Sequence, residues 1–189
     1  YMLEKLRKAM KAADIDMLLI PSADPHGSEY PEEYFKARKH FSGFTGSAGT
    51  LLIWQGGAGL WTDGRYFLQA ARQLEGSGID LFKMREPGVP TVNEFIAENI
   101  KGGVLGADLR TISASEGMEL EKGGAILKDC RSLIDGCWEG RPELSREPAY
   151  VLPAELAGVS SSDKLGAVRA EMAKCDANAC IFTDLADIA

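Results

Sequence analysis

The stretch Leu6-Arg-Lys-Ala-Met10-Lys-Ala-Ala-Asp-Ile15-Asp-Met-Leu-Leu-Ile20-Pro-Ser22 decides the fold. Leu3, Leu6, Met10 and Ala13 recur at three- and four-residue spacing, the signature of an amphipathic helix. Asp16 to Pro21 is a short apolar run stopped by proline and reads as a buried strand. The unit then recurs. Displaced by 162 positions, Leu6–Ser22 falls on Val168–Asp184, with Arg7 on Arg169, Met10 on Met172, Asp14 on Asp176 and Asp16 on Asn178. Positions 18–20 and 180–182 are apolar in both copies. A helix-then-strand unit used twice points to a duplicated α/β element.

Between the copies, helical and strand signals alternate. Strands are expected over 50–54, 59–62, 79–84, 104–107 and 130–135, the first two forming a hairpin about the turn Gln55–Ala58. Helices are expected over 64–74, 91–100 and 113–125. The second opens on a capping box, Thr91-Val-Asn-Glu94, and Ser113 or Ser115 caps the third. This alternation, with one hairpin, predicts an α/β domain with a mixed β-sheet flanked by helices. From Glu139 to Pro153, Pro142, Pro148 and Pro153 stand among charged residues, which is linker composition. The domains are therefore expected at 1–155 and 156–189. The second piece supplies one helix and one strand, too little to bury a core alone. A new apolar segment begins at Leu185, so the natural chain is expected to continue.

Composition sets the outer limits. With 45% hydrophobic and 26% charged residues, the 189-residue chain is not a disordered polymer. Its apolar runs, such as Met17–Ile20 and Leu51–Trp54, fall far short of the roughly 20 residues that span a bilayer. The charged segment Leu3–Lys8 has no signal-peptide core. A net charge of −7 argues against nucleic acid as a partner. The basic run Lys36–His40 reads as a solvated helix face, with His40 partly buried beside Phe41. Of Cys130, Cys137, Cys175 and Cys180 only the second pair has the spacing of a zinc site, which also needs further Cys or His, and all four read as free, reduced thiols, Cys180 as a small buried hydrophobe. That suits a reducing compartment.

Few residues offer chemistry. Arg65, in Trp61-Thr-Asp-Gly-Arg-Tyr-Phe67, stands where a strand gives way to a helix. A cation in the first helical turn opposes the dipole, and Asp63 as N-cap would offset it. Two readings are open. Arg65 pairs with Asp63 or a nearby glutamate and covers apolar surface, or its guanidinium forks onto a ligand carboxylate or carbonyl. Ser42-Gly-Phe-Thr-Gly-Ser-Ala-Gly49 fits neither a phosphate loop, a dinucleotide fingerprint nor a nucleophile elbow, and reads as a tight loop entering a strand. The polar stretch Ser22–Tyr34 is too long for a turn, and long loops in compact domains are often functional. His26 within it is a candidate cleft residue, and its flanking aromatics can wall a pocket. Asp24, His26, Glu29 and Glu33 lack metal-ligand spacing, and no general acid–base pair is visible.

Three segments carry a resemblance in order and spacing: Ile20–Tyr30, Phe41–Thr50 and Leu60–Ala71. Together they resemble the N-terminal part of the three-domain Xaa-Pro aminopeptidases (aminopeptidase P). The match is strongest over 18–75, weaker over 76–150, and resumes at Leu165. The resemblance implies a creatinase-like N-terminal domain followed by the first helix and strand of a second domain of the same type. A pita-bread domain, absent from this sequence, would complete the enzyme and hold two divalent metal ions, usually manganese, on two Asp, one His and two Glu. It implies hydrolysis of peptides with a penultimate proline by a cytoplasmic enzyme that forms homodimers. This chain would hold no catalytic residue and no metal ligand. Carried onto this sequence, the family's peptide-contacting arginine is Arg65, and His26 and Glu29 are rim residues. Pro31–Ala37 departs from the Cys-containing loop of the cytosolic animal relatives. The alternative is a stand-alone binding or dimerisation module of the same fold.

Overall fold

The computed structural model describes residues 2–188; Tyr1 and Ala189, the outer ends of the two expected domains, lie outside the described residues. The chain divides into two compact units, Tyr1–Leu144 and Ser145–Ala189.

The first unit begins with α1 (Met2–Ala12), which buries Leu3, Leu6 and Met10. It stops where Asp14 turns left-handed at φ 50°. The Asp14 N–H then donates to the Lys11 carbonyl (3.3 Å) and the Ile15 N–H to the Met10 carbonyl (2.9 Å), a Schellman closure. β1 (Met17–Pro21) follows, then a long loop ending in a single 3₁₀ turn, Glu33–Phe35, and α2 (Ala37–Ser42). Next come the hairpin β2 (Thr50–Trp54) and β3 (Gly57–Thr62), α3 (Phe67–Gln73) and β4 (Asp80–Lys83). α4 (Val92–Ile100), β5 (Val104–Ala107), α5 (Ala114–Lys122), β6 (Ile126–Asp129) and α6 (Arg131–Cys137) complete the unit. The sheet order is β4-β3-β2-β1-β5-β6. β2 is antiparallel to both its neighbours, and the remaining pairs are parallel. The expected mixed α/β sheet is present.

Both faces of the sheet are covered, as parallel strands require. Leu18, Ile20, Leu51, Ile53, Ala58 and Leu60 point to one face, where α1, α2, α3 and α6 pack. Met17, Leu19, Leu52, Trp61 and Leu105 point to the other, under Ile96 and Ile100 of α4 and Leu120 of α5. The side-chain period of two thus splits one apolar run into two cores. Gly59 makes the second core possible, since a Cβ there would sit 2.6 Å from the Phe82 ring and 2.7 Å from that of Trp61. Those rings stack at 3.9 Å.

Several expectations are corrected. Residues 130–135 are not a strand. The strand is β6, and Cys130, Ile134 and Cys137 bury one face of α6 at helical spacing. α3 starts at Phe67 rather than Gly64, and Asp63 does not cap it; its N-cap, Tyr66, has no side-chain cap bond. The basic run on α2 is not wholly solvated, because Arg38 is only 6% exposed. Its guanidinium reaches the carbonyls of Phe44 (2.8 Å) and Gly46 (2.5 Å). His40 stacks on Trp138 at 4.4 Å, as a partly buried residue should.

The second unit contains α7 (Ala154–Ala157), α8 (Ser161–Lys174) and α9 (Leu185–Ile188). Ser160 caps α8 by accepting from the Asp163 N–H at 3.1 Å. α8 ends as α1 does, with Asp176 at φ 53°. The Asp176 N–H donates to the Ala173 carbonyl (3.4 Å) and the Ala177 N–H to the Met172 carbonyl (2.9 Å). The duplicated segment is therefore a duplicated backbone over its helix end. The strand expected at 180–182 is not formed among the described residues: Cys180 and Ile181 are exposed, the latter at 86%. A strand exists only against a partner, and none of the described residues pairs with this one. All four cysteines are free, Cys130 and Cys137 buried.

Candidate functional site

Five of the six strands run the same way, so their C-terminal ends line one rim of the sheet, and β2 enters from that rim. In open α/β sheets this rim is where ligands bind. Three loops meet there: Ser22–Tyr34 after β1, Gly43–Gly49 before β2, and Asp63–Tyr66 after β3.

The central loop is clamped from every side. Gly43 closes α2 with a left-handed φ of 74°. Arg38 holds the carbonyls of Phe44 and Gly46. The Thr45 hydroxyl accepts from Gln69 (2.8 Å) and Gln73 (2.9 Å), and the Thr45 N–H donates to Gln73 (3.0 Å). Ser47 shares a 2.8 Å hydroxyl contact with Tyr66, and Ser22 donates to the Gly49 carbonyl at 2.7 Å. Gly46 is fixed by space, because a Cβ there would run into the Phe44 ring and lie 2.8 Å from Tyr66. This is the tight loop expected from the glycine spacing.

Arg65 stands on the third loop. Its backbone N–H donates to Asp63 Oδ1 (3.0 Å), Nε to the same oxygen (3.0 Å) and Nη2 to Oδ2 (2.8 Å). The pair is a two-point fork, and Nη1 takes no part in it. The Arg65 side chain remains 63% exposed and lies over the Tyr66 ring at 5.1 Å. The fork holds the Asp63 carboxyl below the usual carboxylate range and raises Arg65 further above its own ordinary value. The Glu29 charge acts on Arg65 in the same direction. Glu29 also pushes the Tyr30 phenol up, while Arg65 acts to lower it.

The structure thus brings Arg65 and Glu29 into one electrostatic neighbourhood with Tyr30 and Tyr66. It places His26 elsewhere in that loop. His26 is exposed, its N–H donating to Asp24 Oδ1 at 2.9 Å in a local turn. Glu29 and Tyr30 also border a cavity of about 200 Å³, lined further by Pro21, Phe35, Lys36, Arg38, Lys39 and Ser47 among others. The flanking aromatics Tyr30 and Phe35 do wall a pocket. Sequence reasoning missed Arg38. Burial without a carboxylate partner pushes its guanidinium down to about 10. Its Nε has no hydrogen-bond partner. Among the described residues no three His, Cys, Asp or Glu side chains converge to hold a metal ion, so they do not fit a two-metal centre. No helix among them is long and apolar enough to cross a membrane.

The chain is similar over its length to proteins named probable Xaa-Pro aminopeptidase P. It is 40% identical over 194 residues to that of Coccidioides posadasii (strain RMSCC 757 / Silveira), covering 99% of this chain and 32% of the relative. It is 41% identical over 178 residues to that of Tuber melanosporum, covering 90% and 29%. Among solved structures, X-prolyl aminopeptidase from Caenorhabditis elegans, described as a cytosolic enzyme with a di-nuclear active site, superposes with a TM-score of 0.83 at 31% identity, covering 100% of this chain and 34% of that one. Xaa-Pro dipeptidase from Bacillus anthracis gives 0.52 at 26% identity over 71% of this chain and 34% of that one. The chain spans about a third of the length of these relatives. Family models described as creatinase/prolidase N-terminal domain match residues 2–137 and again residues 140–189, and the chain belongs to that family.

Proposed function

We propose that the chain is the non-catalytic N-terminal part of an Xaa-Pro aminopeptidase, a metal-dependent hydrolase that releases the first residue from peptides with proline in second position. In this reading the domains divide near residue 155, and the rest of the protein carries the two divalent ions, manganese by the resemblance. The chain would bind and orient the peptide through Arg65, with Glu29 and His26 on the rim, and help to organise a homodimer. The single observation that carries the reading is the placement of Arg65. It stands at the C-terminal rim of the sheet, exposed yet pre-aimed by its fork to Asp63. A fixed guanidinium loses little freedom when it meets a peptide carbonyl or carboxylate, so its contribution is positioning. The free cysteines and the cytosolic relative from C. elegans support a cytoplasmic location.

The test is kinetic. In the polypeptide that joins this chain to its catalytic region, Arg65→Ala should lower kcat/KM on an Xaa-Pro-Xaa peptide by roughly tenfold or more, the loss of one charge-assisted contact. The circular dichroism spectrum should not change. Unchanged kinetics would remove Arg65 from the site. The second reading is a stand-alone binding or dimerisation module of the same fold. The coding sequence after Ala189 separates the two. An open frame bearing Asp, Asp, His, Glu and Glu ligands supports the enzyme, and a stop codon supports the module.

A further inference from the structure

We propose that the cavity between Tyr30, Lys36, Arg38, Lys39 and Ser47 is a carboxylate subsite, which takes the free carboxylate of a short peptide lying along the rim. The proposal rests on the reading that this rim binds peptide, and adds to it a second anchor separate from Arg65.

Charge comes first. The lining carries three cations, Lys36, Arg38 and Lys39, against one carboxylate, Glu29. Arg38 is nine-tenths buried, and the partners it has are neutral: two backbone carbonyls and the face of Phe44, 4.8 Å away. A buried charge without a counter-charge is costly, and a carboxylate entering beside it would supply one at low dielectric. Lys36 and Lys39 both reach Glu33, Lys39 at 3.8 Å. That glutamate is exposed and does not line the cavity, and exposed pairs of this kind contribute little. An incoming carboxylate would compete with Glu33 for the two ammonium groups.

Shape and wall chemistry agree. Pro21, Tyr30, Pro31 and Phe35 add apolar lining suited to a proline ring or a small side chain. At about 200 Å³ it lies below the ~300–1,000 Å³ of pockets that enclose a whole drug-sized ligand. It fits an end group rather than a long segment. Thr45, Gly46 and Ser47 of the clamped loop line it, so this part of the site is held in place before binding, and only the lysines must leave Glu33.

Titration of the ¹⁵N-labelled 189-residue chain tests this with three probes: acetyl-Pro-Ala as the free acid, its C-terminal amide, and acetyl-Pro-Asp-amide. The acid should shift the amides of Ser22, Thr45, Gly46 and Ser47 saturably, and the neutral amide should bind roughly tenfold more weakly. Stronger binding by the acid than by the aspartyl amide supports a terminal carboxylate as the ligand. A preference for the aspartyl amide overturns that choice in favour of an acidic side chain. Lys36→Met with Lys39→Met should abolish the preference for charge, and Glu33→Gln should tighten the acid by freeing both lysines. Arg38→Met also removes the loop clamp, so the lysine variants carry the test. Equal binding of acid and neutral amide, or indifference to the lysines, overturns the subsite. Arg65→Ala should leave acid binding in place. If it does so while turnover by the longer protein is also unaffected, the reading of Arg65 fails and the subsite stands.

Discussion

His40 shows how one residue couples a helix to the end of the domain. Its ring is half-buried, stacked on Trp138 at 4.4 Å and edge-on to Phe41 at 4.8 Å. Burial, assisted by the charge of Lys5, holds it below the ordinary histidine value of 6.5. The unfolded chain therefore takes up this proton first as pH falls. Its contribution to stability is complete above 6.5 and is lost below it, toward the folded value. Thermal midpoints measured from neutral pH downward through 6.5 should fall, and His40→Phe should flatten that part of the slope. An unchanged slope in the variant would show that another group titrates there. Legibility in the sequence also divides at this scale. Arg65 is conspicuous, a cation between glycine and tyrosine where a strand ends. Arg38 is not, because it sits inside a basic run that reads as solvent-facing. What buries it is a pair of carbonyls on a loop six and eight residues further on, and no spacing rule reports that.

At the scale of elements, the clearest signals are local ones. The capping box of α4 is present in full: Thr91 Oγ1 accepts from the Glu94 N–H (3.2 Å), and Glu94 Oε2 accepts from the Thr91 N–H (2.8 Å). Thr91→Ala should cost about 1 kcal/mol, which for a chain of this size lowers the thermal midpoint by roughly 2–4 °C. A smaller loss in a calorimetric scan would mean that packing of Ile96 and Ile100 alone holds the helix. The β2–β3 hairpin was equally readable, because its turn residues and both apolar runs lie within a few positions of each other. α6 was not. Leu133-Ile134 beside Cys130 looks like a strand, and only the spacing of Cys130, Ile134 and Cys137 along one buried face marks it as helical. β6, an edge strand with Ile126 58% exposed, offers too little alternation to be seen.

At the scale of the whole molecule, the stretch after Leu144 is the weak point. Residues 142–153 carry no regular secondary structure and are exposed throughout. Segments of that kind are where proteases cut. Brief trypsin treatment should cleave after Arg146, leaving an N-terminal product whose circular dichroism retains the signature of the six-stranded sheet. Loss of that signature on cleavage would show that the sheet depends on the residues beyond the cut. Upstream of the stretch, Arg141 is tied down. Its Nε and Nη2 donate to the Tyr34 carbonyl (2.9 and 2.7 Å), and its guanidinium lies over the Tyr34 ring at 3.7 Å. The exit of the first unit is thus fastened to the end of the loop that carries Glu29 and Tyr30.

The paired aspartates at 14 and 176 bear on how this chain writes its instructions. In one place the bend delivers the backbone into the middle of a sheet; in the other, the same bend forms with no strand after it among the described residues. Punctuation here is portable, carried by a few neighbouring residues, whereas extended structure is lent by its surroundings and vanishes without them.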